Sequence, residues 1–452
     1  MTTDVTAPQD RPITSRKDLI AYLHQGCKPP EEWKIGVEIE KLVVDRESAA
    51  AAPQERIQQL LERLEKRGCW RGVREEGTLI ALQGVLSAIS LEPGGQLELS
   101  GQLCPDLHCS CDNFRHHIQS IVAEGEPLGL AFLGLGAQPF STPEEIAWLP
   151  KQRYRIMAPY MAHTGTMGQR MMKQTAGIQV NLDYADEADC IGKIRLALAL
   201  TPLFYAWSAN SPLLDGRPSG FLTTRGEIWD HTDSARGGLI HALFENGADF
   251  GTYVDYALDV PMYFIFRREA YLDLTGEPLT FRRFLAEGFA GERATLHDWA
   301  LHLSTLFPES RLRPQLEIRS FDSLPPLMSL GFAALCKGLL YDGEATAGAW
   351  SLFRSQNREE REALLRNSWR LGLKAPFRKG TLQEAAREVL DLARAGLKRQ
   401  ARRNLRGQDE TVFLDPLAEI AASGVTPAER LLAAWQGSRE DKVALLRRHC
   451  GY

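Results

Sequence analysis

Polar and apolar positions alternate in four short stretches of the chain, and that alternation is the first guide to its fold. Side chains at i and i+2 of an extended strand share a face. In KIGVEIEKL, Val37, Ile39 and Lys41 take one face, and Gly36, Glu38 and Glu40 take the other. In GGQLELS, Leu97 and Leu99 oppose Gln96, Glu98 and Ser100; in GIQVNLD, Ile178, Val180 and Leu182 oppose Gln179, Asn181 and Asp183. In PQLEIRS, Leu316 and Ile318 oppose Gln315, Glu317 and Arg319. The simplest assembly is an antiparallel sheet whose apolar face packs on helices and whose polar face lines a cleft.

Elsewhere the period is helical. Residues 15–24, 54–67, 107–124 and 186–210 are expected as helices, the second with Ile57, Leu60, Leu61 and Leu64 on one side and Gly68 where a C′ glycine belongs. A Gly-rich apolar strand is expected at 128–136, and Pro93-Gly94-Gly95 makes a turn into the GGQLELS strand. From Pro326 onward nearly everything is helical, with a break around 372–380. Strands first and helices afterwards predict an α+β fold. Its expected parts are a flexible N-terminus (1–14), an antiparallel-sheet catalytic core (15–325) and a mainly helical region packed on that core (326–452).

Composition narrows the function. Among 452 residues, 53 Lys+Arg stand against 58 Asp+Glu, a formal charge of −5, which excludes the basic footprint of a nucleic-acid binder. With 44% hydrophobic residues the chain can bury a core. Its longest apolar stretches, 128–140 and 194–209, are interrupted by glycines in one and by Arg195 and Pro202 in the other, short of the ~20 residues of a membrane span. No membrane partner is therefore expected. Residues 1–11 have no apolar segment of a secretory signal, so the expected compartment is the cytoplasm, with free thiols. The cluster CPDLHCSC has metal-like spacing but no second Cys/His pair elsewhere, and reads as structural cysteines opening a helix. The basic run KRQARRNLR continues a helical segment and reads as its solvated face.

If the four strands are neighbours, Glu38, Glu40, Glu98 and Glu317 share one concave surface. Carboxylates so placed repel unless protons or cations intervene. Hard oxygen donors without His or Cys suit Mg²⁺ or Mn²⁺, and Mg²⁺ commonly bridges to phosphates. Arg319, Gln179 and Asn181 on the same face would meet anionic groups. The pattern points to a magnesium–nucleotide site; the competing reading is a wet sheet face with solvated glutamates.

The same residues carry a resemblance. KIGVEIEKLVV, LEPGGQLELSG, RYRIMAPYM, GIQVNLDYADEAD, TTRGEIWDHTD, YVDYALDVPMYF and LEIRSFDSLP, in this order, resemble the plant and proteobacterial glutamate–cysteine ligases, and the likeness runs from about residue 34 to about residue 433. It implies a glutamine-synthetase-like antiparallel sheet forming a funnel-shaped active site. The implied activity is the first step of glutathione synthesis: ATP phosphorylates the γ-carboxylate of L-glutamate, and the amine of L-cysteine attacks the acyl phosphate. By motif, the resemblance implies Glu38, Glu40, Glu92, Glu98 and Glu317 as metal ligands. Arg319 and Arg225 are then catalytic contacts to the transferring phosphoryl group. Gln179 and Asn181 lie near glutamate or phosphates, Arg153 and Tyr154 near the glutamate α-carboxylate and amine, and Trp229, Tyr253 and Tyr256 in the cysteine pocket. Glu92 also reads as an exposed turn residue, Arg153 and Tyr154 as a helix start, and Tyr253 and Tyr256 as core packing at helical spacing. The implied assembly is a monomer or a homodimer. The chain departs from plant members in having no cysteine at 285–299, Ala176 in place of a cysteine, and no Gly-rich segment after Arg319. Two competitors remain: a ligase of the same fold using another amine, and a catalytically silent nucleotide- or amino-acid-binding protein.

Overall fold

The structure is a computed structural model that describes residues 11–452. Its centre is a nine-stranded sheet, whose strands are numbered here in chain order. They are β1 (Ile35–Asp45), β2 (Arg71–Glu75), β3 (Thr78–Gln83), β4 (Ala88–Leu91), β5 (Leu97–Ser100), β6 (Leu130–Leu133), β7 (Gly177–Leu182), β8 (Ser310–Leu312) and β9 (Leu316–Asp322). The order is β8-β9-β7-β1-β5-β4-β3-β2, with β6 on the far half of β1, and every pairing is antiparallel. The four alternating strands are therefore the contiguous set β9-β7-β1-β5 at the middle of the sheet. The expected α+β class with a large antiparallel sheet holds.

Register turns that adjacency into a site. Glu38 stands opposite Ser100 on one side and Gln179 on the other, Glu40 opposite Glu98, and Asn181 opposite Glu317. One irregularity matters: the β9–β7 register shifts between Ile318 and Phe321, so Arg319 and Ser320 together face one residue of β7. A bulge of this kind re-aims a side chain without ending the strand.

The apolar face is covered by helices. Gln54–Lys66 packs on β3, Leu107–Gly125 on β1, Glu187–Ser208 on β9, and Pro326–Leu340 on β7 and β1. Glu187–Ser208 has 22 residues and is apolar enough by length and composition to cross a bilayer, longer than the uninterrupted apolar run suggested. Its apolar window is 89% buried inside the protein, which accounts for its composition as a core helix. A single apolar cluster extends from Ile13 through the sheet to Ala421 in the C-terminal helices. Of the N-terminal segment 1–14, residues 1–10 lie outside the described residues; Pro12 bridges to Thr295, and the Ile13 N–H donates to the Ala294 carbonyl at 3.0 Å.

Two expectations change. Cys104 and Cys109 are joined in a disulfide, Cα to Cα 5.7 Å, so free thiols do not describe all eight cysteines. Strands β2, β3, β4 and β8 have no counterpart in the sequence reading.

Candidate active site

The polar face of β9-β7-β1-β5 opens into a cavity. Four carboxylates line it: Glu38 and Glu40 from β1, Glu98 from β5, and Glu92 from the turn between β4 and β5. That turn comes close to the chain at Lys173, since a Cβ at Gly94 would lie 2.3 Å from the Lys173 carbonyl oxygen, and Gly95 holds φ +83°. Glycine is required at both.

The carboxylates differ in their partners. Glu38 accepts from Asn181 Nδ2 at 2.9 Å. Glu40 accepts from the Gly177 N–H at 2.5 Å and Gln179 Nε2 at 3.3 Å. Glu98 accepts from Ser90 and Ser100 hydroxyls at 3.2 and 2.9 Å. Burial, then the nearby charges of Glu98 and Glu317, push Glu38 up to about 7. Burial, then Glu92 and Glu98, push Glu40 up to about 8. Glu38 and Glu40 are thus groups that share protons with their neighbours, and a cation would supply the same positive charge.

The opposite wall is basic: Arg311, Arg313 and Arg319 line the same cavity. All three guanidinium groups meet Glu317, which is fully buried. Glu317 Oε1 accepts from Arg311 Nη2 at 2.6 Å and from Arg319 Nη1; Oε2 accepts from Arg313 Nη2 at 3.0 Å and Arg311 Nε at 3.3 Å. Those charges hold the Glu317 carboxyl far below the usual carboxylate range, overcoming its burial. Glu317 thus lies on the polar face near Glu38, as expected, with its carboxylate held by arginines. Arg319 Nη1 also donates to Gln179 Oε1 at 2.6 Å, tying β9 to β7 on the wet face.

Arg225 sits at the start of the short helix Thr224–Asp230, capped by Thr223, and is 5% exposed. Its Nη2 donates to the Arg319 carbonyl at 3.0 Å, while Nε and Nη1 have no partner among the described residues. Gly177 makes room for it: a Cβ there would come within 2.9 Å of Arg225 Nη2. Trp229, one turn further on, lines the cavity and has Arg225 and Arg319 over its ring at 5.6 and 5.9 Å. Its buried Nε1 and the Asn181 Oδ1 are likewise without partners among the described residues. Buried polar atoms of this sort are the ones a ligand satisfies.

Of the expected substrate residues, Gln179, Tyr154 and Trp229 are in the cavity wall, and Asn181 stands behind Glu38. Like Asn181, the other three are not in that wall. Tyr253 is fully buried and its hydroxyl accepts the Leu312 N–H at 3.0 Å; the Tyr256 hydroxyl donates to the Arg236 carbonyl at 3.1 Å. Both support β8 and its surroundings from behind. Arg153 lies over the Phe264 ring at 5.6 Å. Conversely, Met157, Met171, Met172 and Phe307 supply the apolar part of the wall. The Met pair carries a packing signal in sequence, and Phe307 none. Arg311 and Arg313 were detectable, as two cations flanking Leu312 just before LEIRS.

Oxygen donors of this kind fit a hard divalent cation. Among the described residues no three His, Cys, Asp or Glu side chains converge tightly enough to form a ready-made cage. An ion here would be held by one or two carboxylates with water and ligand oxygens, the usual habit of Mg²⁺.

Comparison with known proteins gives the family and the fold. The model of glutamate-cysteine ligase family 2 matches residues 34–448. The chloroplastic glutamate–cysteine ligase of Medicago truncatula is 43% identical over 435 residues, covering 96% of this chain and 84% of that protein. The chloroplastic enzyme of Arabidopsis thaliana is 43% identical over 429 residues, 94% of this chain and 80% of that protein. These relatives overturn the cytoplasmic expectation, because the compartment in their names is the chloroplast. Among solved structures, glutamate–cysteine ligase from Francisella tularensis in complex with AMP superposes with a TM-score of 0.52 at 13% identity. It covers 92% of this chain and 88% of its own, a likeness of fold.

Proposed function

The chain belongs to glutamate-cysteine ligase family 2, and we propose that its ATP-dependent joining of L-glutamate to L-cysteine takes place in this cavity. That reaction is the first step of glutathione biosynthesis. The observation that carries the placement is the division of one cavity into an acidic wall (Glu38, Glu40, Glu92, Glu98) and an arginine wall (Arg311, Arg313, Arg319).

A nucleotide with its divalent cation is a polyanion beside a cation, and each finds its complement here. Glu38, Glu40, Glu92 and Glu98 would hold Mg²⁺, with Glu317 available once its arginines turn elsewhere. Bound Mg²⁺ neutralises charge on the phosphates. Arg319, and Arg225 through the Nε and Nη1 that have no partner among the described residues, would donate to the phosphoryl oxygens as charge spreads over them, which is positioning and electrostatic stabilisation. Gln179 fixes the Arg319 guanidinium at 2.6 Å.

In the reaction the γ-phosphoryl group passes to the glutamate γ-carboxylate, leaving ADP. The cysteine nitrogen then forms a bond to the γ-carboxyl carbon, the bond from that carbon to the phosphate oxygen breaks, and the amine loses a proton. An acyl phosphate hydrolyses if water reaches it, so the wall of Met157, Met171, Met172, Phe307 and Trp229 has a chemical purpose in excluding water. Tyr154, 5% exposed in that wall, would meet the α-carboxylate and amine of glutamate.

Glutamate labelled with ¹⁸O in the γ-carboxylate tests the reading. One labelled oxygen should appear in inorganic phosphate for each γ-glutamylcysteine formed, with 2-aminobutyrate run in parallel to define the amine. Inorganic phosphate free of label, with the lost oxygen recovered in water or AMP, would exclude the acyl phosphate.

A further inference from the structure

Among the described residues lining or adjoining the cavity, Glu317 is the carboxylate that three guanidinium groups meet, and those cations are the wall that faces the nucleotide in the proposed reaction. Arg311 is anchored independently, its Nη1 donating to the Ser304 and Leu306 carbonyls at 2.9 Å each. Arg313 and Arg319 each give Glu317 a guanidinium nitrogen on the cavity side. While these pairs stand, a polyphosphate must compete with a fully buried carboxylate for the same donors. On the acidic wall, no three carboxylates form a cage among the described residues, so a cation lacks a complete set of protein ligands. Each ligand is thus short of what the other brings.

We propose that Glu317 masks the polyphosphate-binding arginines, and that a divalent cation, by taking over the charge of this carboxylate, frees Arg313 and Arg319 for the nucleotide. Cation and nucleotide then bind with positive coupling built into one ion-pair exchange. Coupling between two ligands is reciprocal, so each tightens the other by the same factor. In the free protein the mask keeps three guanidinium groups from being buried without counter-charge. The inference rests on the proposed placement of the nucleotide in this cavity and adds the order in which its charges are assembled.

The test is titration calorimetry of the full chain with ATP, in EDTA and then with MgCl₂. It compares wild type with Glu317→Gln, Glu92→Gln and the double variant Glu317→Gln/Arg313→Gln. Both single variants remove one negative charge from the same surroundings, but only Glu317→Gln uncovers arginines. In EDTA, Glu317→Gln should bind ATP about 10-fold tighter than Glu92→Gln does, a typical coupling factor. Adding Arg313→Gln should reverse that gain, and the tightening of ATP by Mg²⁺ seen in wild type should shrink in Glu317→Gln. Metal-free affinity in folded Glu317→Gln no better than in Glu92→Gln would overturn the mask. Should Glu317→Gln not fold, Arg313→Gln alone decides: wild-type affinity for ATP with MgCl₂ would overturn it, and a loss of about 10-fold would support it. Wild type binding ATP in neither condition would bring down the placement of the reaction as well, whereas normal Mg–ATP binding with an unchanged Glu317→Gln brings down the mask alone.

Discussion

Glu40 on β1 stands directly opposite Glu98 on β5, two carboxylates paired across one ladder on the wet face of the sheet. Like charges placed so are destabilising unless one is neutral or a cation lies between them. Burial and the neighbours Glu92 and Glu98 push Glu40 up to about 8, whereas in the unfolded chain it titrates near 4.5. The folded protein therefore holds a proton here that the unfolded chain gives up.

Between those two values the unfolded state binds fewer protons, so the contribution of Glu40 to stability is present below pH 4.5, falls as pH rises and is gone above about 8. Gln mimics the protonated form. Glu40→Gln should match wild type at pH 4.5 and become progressively more stable than it up to pH 8, by at most about 1.4 kcal/mol per pH unit. MgCl₂ should then stabilise wild type and leave the variant nearly unchanged. Denaturant titrations at several pH values, with and without MgCl₂, measure both; a constant difference between the two proteins would contradict the buried, protonated Glu40.

Arg225 depends on a hydrogen-bond cluster behind it. Asp322, at the end of β9, accepts from the Thr223 and Ser211 hydroxyls at 2.8 and 2.7 Å and from the Asn210 N–H at 2.8 Å. Thr223 also caps the helix that carries Arg225. Thr223→Val removes the cap and leaves a buried carboxylate short of a donor, a loss of about 1–2 kcal/mol. Steady-state kinetics should show a fall in kcat larger than the rise in KM for ATP, restored by Thr223→Ser. An unchanged kcat would separate Arg225 from phosphoryl transfer.

The Cys104–Cys109 disulfide closes a short loop, and Cys104 exchanges two backbone hydrogen bonds with Ile35, at 2.8 and 2.9 Å, three residues before Glu38. A loop of this length restrains the unfolded chain by about 2 kcal/mol. Reductant should lower the unfolding midpoint of wild type accordingly, while a Cys104→Ala/Cys109→Ala variant should have the lower midpoint with or without reductant. Equal midpoints for reduced and oxidised wild type would contradict a stabilising bond.

What the sequence made legible follows from where one face of a strand is polar and lines the cavity. β1, β5, β7 and β9 have polar residues at every second position, so period two stands out and places Glu38, Glu40, Glu98, Gln179, Asn181 and Arg319 on one surface. β4, Ala88–Leu91, has one polar residue, Ser90, among four, too little alternation to read. β8 is three residues long, too short for any period. The bulge at Arg319 and Ser320 leaves no mark in a pattern of residue types. Tyr253 and Tyr256 lie on a helix where facing a ligand and facing the core give the same spacing, and their hydroxyls settle the matter by bonding to backbone. Glu317 was legible as an acid on the polar face; that Arg311, Arg313 and Arg319 all reach it depends on the β8–β9 hairpin folding back.

The most direct test of the account is cysteine-dependent ADP release by Arg319→Ala beside wild type, with ATP, MgCl₂ and L-glutamate. Arg319 lines the cavity, bonds Gln179 and Glu317, and is proposed to act on charge that develops at the phosphoryl oxygens. Wild type should release ADP with γ-glutamylcysteine as product. The variant, folded by circular dichroism, should lose kcat by about 100-fold or more, as expected when a donor to developing charge is removed. Wild-type kcat in Arg319→Ala would place the reaction somewhere other than this cavity.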